Sequence, residues 1–170
     1  MLSSYLIAES YGRIRGVVHA VLKDAGAELL TFRPDPEANS IAWLIWHLTR
    51  VQDDHLSEIR HEDQLWVSEG WADRFALPFD RVDTGYDQTA EEAGMVRADA
   101  SVLAGYYDAV HTRTLAWLPT LVEADYARIV DNRWTPPVTL AARLISVLDD
   151  DLQHAGQAAY VRGLAERAGH

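Results

Sequence analysis

The chain contains no cysteine. That excludes disulfides, protein thiolate nucleophiles and cysteine-based metal sites, so any thiol chemistry needs a thiol supplied from outside. Lysine is nearly absent too: Lys23 stands alone against fourteen arginines. Basic charge is scarce overall. The formal net charge is −11, which disfavours nucleic acid, because phosphate binding needs clustered Lys and Arg. No apolar run approaches the roughly 18 residues expected of a membrane span. The opening "MLSSYLIAESYGRIRG" has no basic-then-apolar leader pattern. These absences set the expectation of a cytoplasmic protein with neither membrane nor nucleic-acid partners.

What is there reads as helix. The 170 residues are 48% hydrophobic, enough for one domain, residues 1–170, with a real core. Alternating strand-like runs are missing, and long segments of 3.6-residue period take their place. The first runs from about Ser3 to Leu30, with Leu6, Ile14, Val17, Val18, Val21 and Leu22 as its stripe. "TFRPDPEANS" breaks it and ends in two good N-caps, Asn39 and Ser40. "IAWLIWHLTRVQDDHLSEIR" is the second helix. The long, tryptophan-bearing connection "HEDQLWVSEGWADRFALPFDRVDTGYDQ" follows, and a loop of that length is functional or carries short helices of its own. A third helical region spans Thr89 to Leu118, with Thr89 and Glu92 spaced as a capping box. After "PTLVEADYARIVDNRWTPP" comes the last helix, "VTLAARLISVLDDDLQHAGQAAYVRGLAER". Four long helices without strands predict an all-α fold, a four-helix bundle with long connections.

Candidate chemistry sits on the second and last helices. His47 shares a face with Leu44, Leu48 and Val51, while Thr49, Arg50, Asp53 and Ser57 form the opposite, polar face. Asp54 projects on the His47 side, roughly 10 Å further along the axis. On the last helix, Leu140, Leu144, Val147, Ala155, Ala158 and Val161 make the buried stripe, and His154 falls inside it. Asp150 lies one turn before His154, at the stripe's edge. Asp151 lies nearer its centre, and Asp149 points to solvent. An acid and a histidine at i and i+4 present their tips side by side, the spacing helices use to hold a metal. A third ligand from a facing helix would leave a coordination position open, as catalytic sites do, and His47 is the candidate. Isolated inward histidines are commonly hydrogen-bonded core residues, and acidic runs are commonly solvated. A cation or a buried polar network is nevertheless needed to offset five inward-facing ionisable groups.

"WLIWHLTRVQDDH" and "DDDLQHAGQAAYVRGL" resemble the two signature segments of the DinB/YfiT-like superfamily, in its mycothiol-transferase-like branch. The resemblance covers most of the chain, and its specific parts are the tryptophan-flanked histidine and the "HAGQ" element. It implies a four-helix bundle holding a divalent metal, zinc or nickel, through His47, Asp150 and His154. Many members carry histidine where this chain has Asp150, and a carboxylate occurs there in the mycothiol-dependent branch. The implied activity is thiol S-transfer: a low-molecular-weight thiol, activated as a metal-bound thiolate, attacks a small electrophile. The Arg-rich, Lys-poor composition, typical of a GC-rich genome, points to mycothiol as that thiol. Asp54 and Asp151 are expected to support the ligands or contact substrate, and a homodimer is the candidate assembly. The competing readings are a non-catalytic metal- or small-molecule-binding stress protein and a metal-dependent hydrolase.

Overall fold

Ser40 starts the helix that carries His47. Its side chain accepts the Trp43 backbone N–H at 3.2 Å, satisfying one of the donors that a helix N-terminus leaves free. In the computed structural model, which describes residues 2–170, this helix is α3, Ile41–Arg60. His61, in the left-handed region, closes it. The other long helices are α1 (Leu2–Leu22), α7 (Ala100–Trp117) and α8 (Leu140–Ala168). Each of α1 and α3 packs against both α7 and α8, so the four form a bundle with α1 and α3 on one diagonal. Tyr11, Ile14, Leu44, Leu48, Tyr106 and Leu144 are among the side chains filling its interior. Burying each contributes about 1.5–3 kcal/mol. None of the described helices is long and apolar enough to cross a membrane.

The segment boundaries differ from the periodicity in two places. The first helix stops at Leu22, not near Leu30, because Asp24 adopts a positive φ of 55° and Gly26 follows. The chain restarts as the short α2, Ala27–Thr31. Arg162 of α8 caps the broken end, donating to the carbonyls of Ala20, Val21 and Lys23 at 2.7–3.2 Å. In the stripe expected for α1, Leu6 and Val17 are in fact exposed. The third helical region is also split. The Thr89–Glu92 capping box forms, but it starts only α6 (Ala90–Ala93), and α7 begins anew after Asp99.

The expectation of no strands is corrected by a small antiparallel hairpin, β1 (Ile129–Asp131) with β2 (Val138–Thr139). Strands of two and three residues are too short to show alternation. The hairpin feeds directly into α8, whose N-cap Thr139 accepts the Ala142 N–H. It also holds Asp131 against Arg143 of α8 at 2.8 Å.

The expected polar face of α3 is the largest correction. Thr49, Arg50, Asp53 and Ser57 are all buried. The long connection folds over them as α4 (Leu65–Ser68) and α5 (Trp71–Phe75). Asp53 accepts the backbone N–H groups of Leu65 and Trp66 at 3.1 and 2.8 Å, the Tyr106 hydroxyl at 2.8 Å and the Arg113 guanidinium at 2.6 Å. A buried carboxylate is tolerated when its oxygens are filled in this way. Asp53 thereby pins the start of α4 to α3 and α7.

Candidate metal centre

Two helices from opposite halves of the chain bring three donor atoms together. His47 of α3 and Asp150 and His154 of α8 each offer one ligand atom, and these lie within 4.8 Å of one another. His47 Nε2 is 3.9 Å from Asp150 Oδ1, and His154 Nε2 is 3.6 Å from the same oxygen. The imidazole rings stand 4.9 Å apart, nearly perpendicular. Their α-helical frames account for the placement. Asp150 and His154 are one turn apart on α8, and His47 faces them across the α3–α8 contact.

Each imidazole is hydrogen-bonded through Nδ1. His47 Nδ1 faces the Thr84 carbonyl at 2.5 Å, and His154 Nδ1 faces the Gln157 carbonyl oxygen at 2.7 Å. A carbonyl only accepts, so each Nδ1 carries a hydrogen and each Nε2 is the ring nitrogen turned toward Asp150. Burial lowers the pKa of His47 to about 4, the Thr84 bond working against it and His154 with it, so this ring is neutral near pH 7. Burial raises the pKa of Asp150; His154 pulls it down and Asp149 adds to the rise. The second oxygen of Asp150 is buried and has no donor among the described residues. The Nε2 lone pair of the neutral His47 ring, the His154 Nε2 and a carboxylate oxygen thus converge. Facing acceptors repel one another. A cation reconciles them, and the donor set of two imidazole nitrogens and one carboxylate suits a divalent metal ion. The triad could therefore hold one.

The 79–88 loop builds the rest of the site. Trp43 stacks on the His47 ring at 4.5 Å and meets His154 edge-on at 5.9 Å. Its indole N–H donates to Gln88 at 2.8 Å, which fixes the ring. Tyr86 stands edge-on to His47 at 5.2 Å and is more than half exposed, so it borders the open side. Burial raises its pKa, with the Asp150 charge adding. Gly85 is required where it sits. Its φ of +102° is unfavourable for other residues, and a Cβ there would fall 2.6 Å from His47 Nδ1.

The sequence-derived residues divide accordingly. His47, Asp150 and His154 come together; Asp149 is exposed, as the periodicity requires. Asp54 is partly exposed and accepts from Gln64 at 2.6 Å, not from a ligand histidine. Asp151 is fully buried, and neither of its oxygens has a hydrogen-bond partner among the described residues. The Nδ1 atoms of His47 and His154 are hydrogen-bonded by Thr84 and Gln157, not by Asp54 or Asp151. Gln157 was legible as part of "HAGQ" but without a role. For Thr84, Gly85 and Tyr86 the available signal was a turn glycine in an overlong loop. Trp66 and Trp71 pack against Tyr106 at 5.3 and 5.7 Å, and the aromatic neighbours of the candidate site are Trp43 and Tyr86.

The family model described as DinB superfamily matches residues 11–158. Among solved structures, the chain is similar to a conserved protein of Enterococcus faecalis. The two are 34% identical, superpose with a TM-score of 0.87, and match over 94% of each chain. No curated protein matches.

Proposed function

The chain belongs to the DinB superfamily, and on that premise we propose that it is a metal-dependent thiol S-transferase of the mycothiol-using branch. Its substrates are a low-molecular-weight thiol, mycothiol foremost, and a small electrophile. Zinc or nickel is the proposed ion, held by His47 Nε2, Asp150 Oδ1 and His154 Nε2. The observation that carries the reading is the convergence of these three donor groups, with Asp150 and His154 only partly buried and the half-exposed Tyr86 edge-on to His47.

A divalent cation supplies the positive charge that makes a thiol of ordinary pKa near 8.5 ionise at neutral pH. The chain's own residues do the rest. The Nδ1 bonds to Thr84 and Gln157 fix the imidazoles with their Nε2 atoms inward. Trp43 covers one face of His47 and keeps water from that side. Asp150 adds a negative charge that a third histidine would lack, which limits the net charge of the loaded centre. With no cysteine in the chain, the nucleophilic sulfur is the substrate's own.

The experiment is a thiol panel. Zinc- or nickel-loaded protein is incubated with a bimane-type electrophile and, separately, mycothiol, bacillithiol or glutathione. Conjugation with mycothiol, lost in His154→Ala, is the expected result. No enzyme-dependent conjugation with any thiol would overturn the transferase reading.

A further inference from the structure

Tyr86 stands beside the metal centre without a part in holding its ligands. It is fixed there from both sides. Before it, the Thr84 carbonyl faces His47 Nδ1, and Gly85 packs so closely that a Cβ would fall 2.6 Å from that nitrogen and 3.1 Å from the Trp46 ring. After it, Asp87 adopts a left-handed φ of 59°, uncommon for a residue other than glycine. Gln88 then accepts the Trp43 indole N–H at 2.8 Å. Between these anchors the phenol ring is edge-on to His47 at 5.2 Å, and the residue is 58% exposed. Its hydroxyl has no hydrogen-bond partner among the described residues. Two neighbouring donors are committed elsewhere: the Trp43 indole to Gln88, and the Arg143 guanidinium to Asp131 at 2.8 Å. Burial raises the pKa of Tyr86, and the Asp150 charge adds to the rise, so the hydroxyl keeps its proton at neutral pH.

On the thiol-transferase reading, on which this depends, we propose that Tyr86 is a catalytic residue that donates its hydroxyl hydrogen to the electrophile, and that the electrophile is a small, uncharged epoxide. The fate of the charge selects the class. Displacement of a halide carries the charge away on the leaving ion and calls for no proton. Attack on an epoxide leaves the charge on the electrophile's own oxygen, where a free O–H donor is useful. The substrate thiolate forms the S–C bond as the C–O bond breaks, and the electron pair of the broken bond passes to oxygen. Tyr86 gives its proton to this alkoxide and is reprotonated from water, leaving a neutral β-hydroxy thioether. An alkoxide is more basic than a phenolate, so the transfer runs downhill. The carboxylates of Asp150 and Asp54 act on the phenol from the same side, which disfavours an anionic electrophile.

Tyr86→Phe keeps the ring against His47 and removes the hydroxyl. Parent and variant, both zinc-loaded, are given mycothiol with either styrene oxide or monobromobimane, and rates are taken per bound zinc. The bimane, which expels bromide, is the reference electrophile. The ratio of epoxide to bimane conjugation should fall about 100-fold in Tyr86→Phe, the lower end of what a positioned general acid supplies. Calorimetry adds a readout apart from turnover. The parent should bind the 2-hydroxy-2-phenylethyl thioether of mycothiol about 5-fold more tightly than the 2-phenylethyl thioether, the worth of one hydrogen bond, and Tyr86→Phe should bind the two alike. A ratio within ~3-fold of the parent's would overturn the proposal. A hydroxyl preference that is absent from the parent, or that persists in Tyr86→Phe, would do the same. Conjugation of bimane but not of the epoxide by the parent would overturn it while leaving the transferase reading standing. Conjugation of neither electrophile by the parent would overturn both.

Discussion

His47 Nε2 and Asp150 Oδ1 face each other at 3.9 Å across the α3–α8 contact, and the neutral His47 ring, its Nδ1 hydrogen on the Thr84 carbonyl, turns a lone pair toward the carboxylate. Two acceptors are held in this way because each is anchored from behind: His47 by the Thr84 carbonyl, Asp150 by the rigid turn it shares with His154. The relationship is the core of the metal-site reading and sets its tests.

His47→Ala and His154→Ala should each reduce metal content from about one ion per chain to near zero. Helicity should be unchanged, since the ligands sit on helices whose apolar faces are already buried against one another. Elemental analysis and circular dichroism on the same samples check this. Full metal retention in either variant would remove that histidine from the site.

The three consecutive acids should separate cleanly. Asp150→Ala should weaken zinc binding by orders of magnitude in a competitive titration, and Asp150→His should restore it. Asp149→Ala should have no effect, because its side chain faces solvent. Asp151→Ala should keep the metal, because its carboxylate is directed into the bundle and bonds to neither histidine. Loss of metal in Asp151→Ala with retention in Asp150→Ala would move the ligand register by one residue.

Support of the imidazoles is separately measurable. Gln157→Ala removes the acceptor that orients His154 and should lower metal affinity about 10–100-fold, with little change in stability because Gln157 is exposed. Gly85→Ala places a Cβ against His47 at an unfavourable φ, so it should lower both affinity and melting temperature. An unaltered zinc affinity in both variants would show that the Nδ1 bonds do not tune the site.

Asp53→Ala tests the buried network on the other face of α3. It leaves Arg113, Tyr106 and two backbone N–H groups without their acceptor, so it should cost about 3–5 kcal/mol in denaturant unfolding. A loss below ~1 kcal/mol would mean those donors find water instead.

The protein should lose stability in mild acid. Burial lowers the pKa of His111, with Arg15 adding, so the unfolded chain takes up a proton near pH 6.5 that the folded chain refuses. The contribution of His111 is therefore fully present above that pH and is lost as pH falls below it. His111→Phe retains a ring against Tyr107, which stacks on His111 at 5.8 Å, and removes the titration. Its unfolding free energy should decline less steeply than the parent's between pH 7 and 5. Parallel profiles would exclude His111 from the acid response.

The sequence by itself determined the four long helices, because each carries an apolar stripe of 3.6-residue period, a property readable residue by residue. It determined that His47 and His154 face inward, that Asp149 does not, and that Asp150 and His154 share a turn. Local periodicity has no information about what lies opposite a helix face. The polar side of α3 reads as solvated until the connection after it folds back and buries Asp53 among five donors. The choice between Asp150 and Asp151 has the same origin. Both spacings to His154 are compatible with one ion, and only the rotation of α8 against α3 turns one carboxylate toward His47 and the other into the core. The loop that supplies Thr84, Gly85 and Tyr86 was legible only as a long segment with a turn glycine. Its return to His47 depends on contacts between residues distant in sequence, which the tertiary structure alone decides.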